Sequence, residues 1–420
     1  MKVLLLGSGG REHAIAWALA RSPRLTKLWA APGSDAMAEL AERADLDILD
    51  GAAVVRFARE KDVDLLFVGP EAPLAAGVSD AARAAGLLVF GPSQAASRLE
   101  TSKAFAKDFM ARHAVPTARA RACASAAEAK EAARAFEGRC AVKADGLAAG
   151  KGVVVCRTLA EAEAAVDMLG ATAAGKILVV EELLEGPELT VMLLTDGRSC
   201  AILPPSRDHK RLLDDDEGPN TGGMGALAPA PVDARTWRRI TDEILAPTLA
   251  GLAADVLDYR GALYAGIMLT KDGPKLLEYN ARFGDPETQA VLPLLDADIL
   301  ALAADCAAGK LADGPIPTKP GACVSVTLAS PGYPSSPKTG ATLDLAGSEG
   351  STDALLFHAG TMKNGDGWIA TGGRVLTVVG RGHDLAAARE RAYAEIARLG
   401  VSGLQYRRDI AAKTQGRTVA

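Results

Sequence analysis

The first hundred residues alternate short apolar runs with segments of helical periodicity, and no other feature of the chain restricts its fold as strongly. KVLLLG reads as a buried parallel strand, and REHAIAWALARS, beyond the turn GSGG, reads as a helix. The same order of strand, helix and strand recurs between residues 64 and 93. Alternating elements of this kind build a doubly wound parallel sheet, so we expect an α/β domain over residues 1–100.

The rest of the chain favours antiparallel hairpins over alternating elements. Apolar runs on both sides of Asp196-Gly197 and of Asp272-Gly273 predict two hairpins. Hairpins with flanking helices predict an α+β core, and SRLETSKAFAKDFMARHA before it is expected to be a helix. A Pro-, Gly- and Ser-rich stretch after residue 325 precedes a small β-rich closing segment. We therefore expect four domains, at residues 1–100, 101–190, 191–325 and 326–420.

Length and composition exclude several classes of protein. At 420 residues the chain is too long for one small core, and a formal net charge of -5 provides no basic field for a nucleic-acid partner. The N-terminal apolar run is too short for a signal peptide, and no run approaches the length of a membrane span. The six cysteines form no C-x-x-C pair, which argues against zinc and for reduced thiols. We expect a cytoplasmic monomer without nucleic-acid or membrane partners.

A carboxylate, an amide and a guanidinium recur at every second position of the run PKLLEYNARFGDPE, as Glu278, Asn280 and Arg282. Side chains alternate between the faces of a strand, so these three converge on the same space if the run is extended. Mg²⁺ prefers hard oxygen ligands and usually takes only one or two from protein, while a nearby arginine offers a planar fork to phosphate oxygens. The spacing predicts a metal-phosphate site; the alternative is a solvated strand face with an incidental acid-base pair.

The glycine-rich turn after the first strand does not match a dinucleotide fingerprint. Counted from Gly7, the last position of G-x-G-x-x-G is Glu12, whose bulky side chain opposes the close packing of helix on strand. Arg11, beside the N-terminus of the helix, favours a terminal phosphomonoester over a pyrophosphate. A tight turn that needs only Gly7 and Gly9 is the alternative.

The run KADGLAAGKGVVV predicts a glycine loop that closes over phosphates. Beyond Lys143 the loop carries three glycines and a lysine, Gly146, Gly150, Lys151 and Gly152. It is not a P-loop, because Gly152 stands where a hydroxyl residue is required. A glycine loop between two strands can cover a triphosphate and exclude water during phosphoryl transfer. The alternative is a surface hairpin with solvated lysines.

An acidic segment farther along provides candidate nucleotide contacts. Glu181 and Glu182 end an apolar strand and precede a linker that includes Leu184. Backbone groups of an apolar linker can read an adenine edge, and Glu188 can accept from ribose hydroxyls. An ordinary acidic loop is the alternative.

The segment SRDHKRLLDDDEGPNTGGMGALAP combines a basic cluster, an acidic run and a glycine-rich turn. The glycines beside Asn220 and Thr221 let the backbone approach a ligand closely. Residues 214–217, the acidic run, are expected to be solvated.

Taken together, these segments resemble one family, the phosphoribosylamine-glycine ligases, or glycinamide ribonucleotide synthetases, of the ATP-grasp superfamily. The most discriminating stretches are GPNTGGMGA and NARFGDPE, and FHAGT and GLQYRRDI extend the match into the closing segment. The resemblance covers essentially the whole chain. It implies an α/β and α+β multi-domain fold with an N-terminal doubly wound parallel sheet, a two-lobed ATP-grasp core and a small β-rich C-terminal domain. The first lobe carries the glycine-rich lid, and the second carries the metal site.

The resemblance also implies roles for individual side chains, with ATP and Mg²⁺ or Mn²⁺ as cofactors. The metal is expected on Glu278 and Asn280, and the nucleotide on Lys103, Lys143, Gly150, Lys151, Gly152, Glu181, Glu182, Leu184 and Glu188. The substrate contacts are expected to be Gly9, Gly10, Arg11, Glu12, Lys210, Asn220, Thr221 and Gly222. The expected catalytic residues are Arg282, Lys143 and Asp208.

The implied reaction joins glycine to 5-phosphoribosylamine in purine biosynthesis. ATP would convert the glycine carboxylate to glycyl phosphate, and the amine would then displace phosphate to give glycinamide ribonucleotide. Arg282 is expected to stabilise the transferring group. The alternatives are an ATP-grasp ligase acting on formate or bicarbonate, a nucleotide-responsive binding module without turnover, and a nicotinamide dehydrogenase.

Overall fold

An all-parallel sheet of five strands forms the N-terminal part of the protein, which confirms the predicted doubly wound domain. The computed structural model describes residues 1–147, 152–345 and 354–414. In chain order the N-terminal elements are β1 (Lys2–Gly7), α1 (Gly10–Leu19), β2 (Lys27–Pro32), β3 (Glu42–Arg43), α2 (Gly51–Glu60), β4 (Leu65–Val68), α3 (Glu71–Ala75), α4 (Val78–Ala84), β5 (Leu88–Phe90) and α5 (Gln94–Thr101). The strand order is β3-β2-β1-β4-β5.

The centre of this sheet explains where its functional edge lies. Val3, Leu4, Leu5 and Leu6 of β1 are fully buried, because helices cover both faces of a parallel sheet. β2 and β3 are added on one side of β1, whereas β4 and β5 are added on the other side. Ligands of open α/β sheets bind beyond the carboxyl ends of the strands at the point where the strand order switches sides in this way. The turn after β1 lies there.

The segment expected to be a helix before the α+β core consists of two helices, α5 and α6 (Lys103–Arg112), interrupted at Ser102. Ser102 is extended, with φ -137° and ψ 110°, and its hydroxyl accepts from the Phe105 N–H as the N-cap of α6. Asp145 fixes the break, because its carboxylate accepts from the Ser102 hydroxyl and from the Ala104 N–H. Sequence periodicity could not show this break, since Asp145 comes from a distant strand end.

The first lobe of the core is an antiparallel sheet with two helices packed on it. Its elements after α6 are β6 (Ala120–Cys123), α7 (Ala126–Ala135), β7 (Cys140–Ala144), β8 (Val153–Cys156), α8 (Leu159–Gly170) and β9 (Leu178–Glu182), in the strand order β6-β9-β7-β8. Alanines of α7 and α8, with Val166 and Leu169 of α8, form a separate apolar core with these strands. Residues 148–151 of the expected lid, including Gly150 and Lys151, lie outside the described residues.

The second lobe contains both predicted hairpins. Its elements are β10 (Glu188–Thr195), β11 (Cys200–Ile202), β12 (Arg207–Asp208), β13 (Arg211–Leu213), β14 (Glu217–Asn220), β15 (Gly225–Ala228), α9 (Ala234–Ile240), α10 (Ala246–Ala254), β16 (Gly261–Thr270), β17 (Gly273–Asn280), α11 (Glu287–Val291), α12 (Ile299–Ala307) and β18 (Gly314–Pro315). β10 pairs with β11, and β16 with β17, in antiparallel register. The two hairpins share one sheet, in the order β17-β16-β10-β11-β18.

The C-terminal segment closes the molecule with antiparallel strands and one long helix. Its elements are β19 (Ala322–Ala329), β20 (Thr342–Leu343), β21 (Ala354–His358), β22 (Thr361–Asn364), β23 (Gly367–Ala370), β24 (Arg374–Gly382) and α13 (Leu385–Arg398). Its main sheet has the order β12-β15-β19-β24-β21, so two strands of the second lobe belong to it. The expected boundaries after residues 190 and 325 fall within β10 and β19.

The acidic run expected to be solvated is exposed but also holds the C-terminal segment. Asp216 pairs with Arg407 at 2.9 Å, and Asp214 accepts from the Arg408 N–H. Arg407 is only 1% exposed, and its fork also binds Asp409 at 2.7 Å. The hairpin of β13 and β14 is thereby fastened to the end of the described chain. No helix within the described ranges is both long and apolar enough to span a bilayer.

Candidate active site

A cavity of about 660 Å³ lies where the parallel sheet, both lobes and the C-terminal segment meet. The predicted site residues that line it are Arg11, Lys103, Lys143, Gly152, Glu181, Glu182, Leu184, Glu188, Asp208, Lys210, Asn220, Thr221, Gly222, Glu278, Asn280 and Arg282. Side chains far apart in sequence thus surround one space large enough for a nucleotide and small substrates. Gly9, Gly10 and Glu12, at the start of α1, are not among its lining residues.

Glu278 and Asn280 of β17 line the cavity, and Tyr279 between them borders it but is buried, packing in the core. A β-bulge lies just before Glu278 and β17 ends at Asn280, so Arg282 reaches the cavity from beyond the strand that was expected to carry it. Glu278 lies 3.6 Å from Lys210. Burial opposes ionisation of Glu278, but the charges of Lys210, Lys143 and Lys103 outweigh it and hold its pKa below the ordinary value. The carboxylate is therefore ionised and able to bind a cation.

Within the described residues, no group of three or more His, Cys, Asp and Glu side chains could hold a metal ion. Glu278 and Asn280 fit Mg²⁺ better than zinc or calcium. They supply only one carboxylate and one amide oxygen, which leaves most positions of an octahedron to water and phosphates. The Asn280 Oδ1 accepts from Arg282 Nη2 at 3.2 Å, and Asn280 and Glu278 both line the cavity.

The Arg282 guanidinium is surrounded by acceptors from the protein. Its Nη2 pairs with Glu100 at 2.9 Å, its Nη1 donates to the Phe283 carbonyl at 3.1 Å, and Glu71 lies 3.3 Å from its Nε. Burial disfavours the cation, but Glu100 and Glu71 raise the pKa of Arg282. Its position is therefore set by carboxylates that sequence reasoning did not single out. Both also line the cavity.

Two lysines share one buried carboxylate on the first lobe. Glu181 is 2% exposed and pairs with Lys143 at 2.9 Å and with Lys107 at 3.0 Å. Burial lowers the pKa of Lys107 to about 8, although Glu181 opposes the shift. Lys103 donates to the Gly146 carbonyl at 3.1 Å. Sequence reasoning missed Lys107, yet its spacing of four from Lys103 places both on one face of α6.

The predicted adenine and ribose contacts are occupied by partners within the protein. Glu182 accepts from the Arg119 N–H at 3.0 Å and lies 3.5 Å from Lys275, which fixes the end of β9. Glu188 pairs with Lys210 at 2.8 Å. Lys210 therefore bridges Glu188 and the expected metal ligand Glu278.

A pair of carboxylates, the half-buried Asp208 and the buried Glu287, lies near Lys210. Burial, followed by the negative charge of Glu287, raises the pKa of Asp208 well above its ordinary value. Among the described residues, no donor reaches the buried Asp208 Oδ1. Glu287 is 2% exposed and its Oε1 lies 3.2 Å from the Thr190 hydroxyl. Sequence reasoning missed Glu287, although it ends the discriminating stretch NARFGDPE.

The glycine-rich turn with Asn220 and Thr221 is held from the C-terminal segment. The Gly222 N–H donates to the Tyr333 hydroxyl at 2.9 Å, and Arg374 Nη1 donates to the Gly222 carbonyl at 2.7 Å. Arg374 also pairs with Asp285 at 2.8 Å. It therefore ties this turn to the segment that carries Glu287. No sequence pattern around Tyr333 or Arg374 identifies either of them as a site residue.

The turn after β1 is organised around Glu12. Its Oε2 accepts from the Gly9 N–H at 2.9 Å and its Oε1 pairs with Arg11 Nε at 2.6 Å. The Glu12 side chain lies so close to Gly7 that no β-carbon fits there. The bulk of Glu12 thus fills the turn, in agreement with the failure of the dinucleotide fingerprint. The Gly9 N–H, expected to contact substrate, is occupied by Glu12.

Comparison with known domain families matches nearly the whole chain. Residues 1–100 match the phosphoribosylglycinamide synthetase N domain, residues 101–288 its ATP-grasp (A) domain, and residues 323–413 its C domain. The phosphoribosylamine-glycine ligase of Streptomyces coelicolor is 47% identical over 421 residues, which are 99% of this chain and 100% of that protein.

Solved structures show the same architecture. The crystal structure of phosphoribosylamine-glycine ligase from Thermotoga maritima has a TM-score of 0.85 at 32% identity, covering 98% of this chain and 100% of that one. The biotin carboxylase domain of 2-oxoglutarate carboxylase from Hydrogenobacter thermophilus, solved with MgADP and bicarbonate, has a TM-score of 0.76 at 17% identity and covers 96% and 91%. The second likeness concerns the fold alone.

Proposed function

The chain belongs to the phosphoribosylglycinamide synthetase family, and from this premise we infer that it catalyses the ATP-dependent ligation of glycine to 5-phosphoribosylamine. The products are glycinamide ribonucleotide, ADP and phosphate, in purine biosynthesis. One structural observation carries this assignment: Glu278 and Asn280 of β17 line the same cavity as lysines from both lobes. Such a cavity suits a triphosphate with its cation.

We propose that ATP lies between the lobes with its phosphates toward Lys103, Lys143 and the lid. Adenine would contact the linker at Glu181, Glu182 and Leu184, and ribose would contact Glu188. These residues line the cavity in the described parts of the chain. The Lys143–Glu181 and Lys210–Glu188 pairs would exchange partners when the nucleotide enters, because each cation gains phosphate oxygens.

We propose that Glu278 and Asn280 hold Mg²⁺, or Mn²⁺ in its place. When bound, the metal neutralises charge on the phosphates and orients the γ-phosphoryl group. The residues of this chain then position the reactants. Arg282 lies beside Asn280 and can stabilise the transferring group once the nucleotide competes for its donors.

The carboxylate of glycine must be activated before an amine can attack it. Its negative charge repels the nucleophile, and oxide is a poor leaving group. We propose that a glycine oxygen attacks the γ-phosphorus while the bond to ADP breaks, giving glycyl phosphate. The nitrogen of phosphoribosylamine then attacks the acyl carbon, phosphate leaves with the glycine oxygen, and the nitrogen loses a proton. Catalysis by positioning and electrostatics requires no covalent enzyme intermediate.

We propose that the ammonium group of glycine binds between Asp208 and Glu287. The Asp208 Oδ1 is buried and has no donor in the described part of the chain, and Glu287 is almost fully buried beside it. Two neighbouring carboxylates shielded from water destabilise the fold unless a cation pairs with them. An ammonium group supplies that charge and the missing donors. The turn at Asn220–Gly222 then closes the small pocket.

We propose that the sugar phosphate of phosphoribosylamine lies near Gly9, Gly10 and Arg11. Glu12 holds Arg11 by a 2.6 Å pair, and Arg11 lines the cavity at the switch point of the parallel sheet. We also propose that the four expected domains have separate roles. In chain order they would bind the substrate phosphate, carry the lid, carry the metal site and close the cavity. We further propose a cytoplasmic monomer; all six cysteines are unpaired thiols.

Oxygen transfer tests the proposed route. Glycine labelled with ¹⁸O in its carboxylate should deliver one labelled oxygen to the released phosphate, as measured by mass spectrometry. ADP release should require glycine and phosphoribosylamine together. Unlabelled phosphate would eliminate the glycyl phosphate route, and ADP release with formate or bicarbonate in place of glycine would eliminate the substrate assignment.

A further inference from the structure

Glu100, in the last turn of α5, carries a buried carboxylate that the proposed reaction does not use. Its side chain is 7% exposed. Its Oε2 accepts from the Ala281 N–H at 2.7 Å, and its Oε1 pairs with Arg282 Nη2 at 2.9 Å. Both partners directly follow the end of β17, which carries Glu278 and Asn280. Glu100 therefore fixes the backbone and the guanidinium that leave the expected metal strand.

The same guanidinium nitrogen reaches the second expected metal ligand. Arg282 Nη2 donates to the Asn280 Oδ1 at 3.2 Å. An asparagine amide can present either oxygen or nitrogen, and only the oxygen can ligate a cation. A donor held beside Oδ1 selects the orientation in which oxygen faces the site, and the second lone pair of that oxygen remains available. The contacts thus form a chain from Glu100 through Arg282 to Asn280.

The break between α5 and α6 explains why this carboxylate is available. Asp145 and the N-cap Ser102 end one helix and start the next, so that Glu100 on one side of the break and Lys103 on the other both line the cavity. In a continuous helix Glu100 and Lys103 would be almost one turn apart on a single straight axis. The break lets the two helices have different axes. The break therefore allows residues on both of its sides to line the cavity.

We propose that Glu100 is a positioning residue for the metal site, holding Arg282 against the amide of Asn280 so that its oxygen faces the cation. This inference rests on the proposed metal site. Outer residues that orient metal ligands change metal affinity by about 10–100-fold when they are lost. Glu100→Gln keeps the size of the side chain but replaces one of the two accepting oxygens by an NH2 group, so the contacts with the Ala281 N–H and with Arg282 cannot both be kept.

The experiment titrates Mn²⁺ into the full-length protein saturated with a non-hydrolysable ATP analogue and follows the paramagnetic signal of free Mn²⁺. A titration of the analogue without protein is the blank. Glu100→Gln should weaken Mn²⁺ binding about 10-fold. The control Asp255→Asn, which removes a carboxylate that pairs with Arg112 and His113 away from the cavity lining, should leave Mn²⁺ binding unchanged. Wild-type affinity in Glu100→Gln would overturn the inference.

The same titration in an Asn280→Asp background separates orientation from general support. Aspartate presents oxygen in either orientation, so Glu100→Gln should have no further effect on Mn²⁺ affinity there. An equal loss in both backgrounds would overturn the orientation mechanism. Glu100→Asp, which retains the charge on a shorter arm, replaces Glu100→Gln if the latter does not fold, with the same expected loss.

Failure of the metal site itself has a different signature. Glu278→Ala should remove Mn²⁺ binding. If Glu278→Ala binds Mn²⁺ like the wild type, the proposed metal site is wrong. If Glu278→Ala loses binding while Glu100→Gln retains it, only the role of Glu100 is wrong.

Discussion

Replacement of Asp208 by asparagine should make the ligand-free protein more stable while abolishing its response to glycine. Asp208 Oδ1 is buried without a donor among the described residues, and burial with the charge of Glu287 raises its pKa. A buried group left without a partner costs about 1–3 kcal/mol, and more when it is charged. Asp208→Asn removes the charge at nearly constant volume, so we expect a gain of about 1–3 kcal/mol near neutral pH. For a unit of 150–250 residues this corresponds to about 2–4 °C per kcal/mol in Tm.

The sign of the pH dependence follows from the raised pKa of Asp208. Between the ordinary value of 3.8 and the raised one, the folded state holds a proton that the unfolded state has released. Wild-type stability therefore falls as pH rises through this window, whereas Asp208→Asn lacks this loss. The stability difference between the two proteins should grow with rising pH and shrink toward pH 4.

Differential scanning fluorimetry from pH 4 to 8 measures this difference, with and without glycine in the presence of Mg²⁺ and an ATP analogue. Glycine should raise the Tm of the wild type but not of Asp208→Asn. The matched control Asp255→Asn removes a carboxylate that pairs with Arg112 and contacts the His113 ring, so it should not stabilise the protein. A Tm for Asp208→Asn at or below that of the wild type at pH 8, or a difference independent of pH, would refute the orphan-carboxylate reasoning.

Two further predictions concern single cations of the site. Arg11→Ala should raise KM for phosphoribosylamine about 10–100-fold, the effect of one or two charge-assisted hydrogen bonds, while KM for ATP stays constant in steady-state assays. An unchanged KM for phosphoribosylamine would remove Arg11 from the phosphate site. Burial lowers the pKa of Lys107 from 10.5 to about 8, so the folded state releases this proton before the unfolded state does. Wild-type stability should therefore rise relative to Lys107→Met by about 1 kcal/mol between pH 7 and pH 9, measured by thermal unfolding of both proteins; a flat difference would contradict the shifted pKa.

Local patterns predicted the parts of this protein that local physics determines. Glu278 and Asn280 both reach the cavity although a β-bulge precedes Glu278, because the chain is extended from Glu278 to Asn280 and Tyr279 between them packs in the core. Both hairpins form at turns that glycine favours. The N-terminal sheet follows from runs such as Val3–Leu6, which are apolar on both faces. In each case the information lies within a few neighbouring residues.

The rest of the site depends on contacts between residues far apart in sequence. Glu100 and Ala281 are 181 positions apart, and Arg374 and Asp285 are 89 apart. Nothing in the sequence near Glu100 or Asp285 shows which distant donor its carboxylate contacts. The same holds for the break at Ser102, which depends on Asp145 from the end of β7. Tertiary contacts override helical periodicity there, so one expected helix becomes two.

The balance of charge around the cavity bears on how the nucleotide enters. The described lining residues include eight Lys and Arg and nine Asp and Glu side chains, so the protein offers no net positive field to a triphosphate. Most of these cations already have carboxylate partners, as Lys143 has Glu181 and Lys210 has Glu188. A bare triphosphate would meet Glu278 and Glu188 as repulsive neighbours, whereas in the proposed metal site a complex with a divalent cation would make Glu278 a ligand. We therefore expect the nucleotide to enter as its metal complex, and we expect the proposed exchange of ion pairs to accompany its entry.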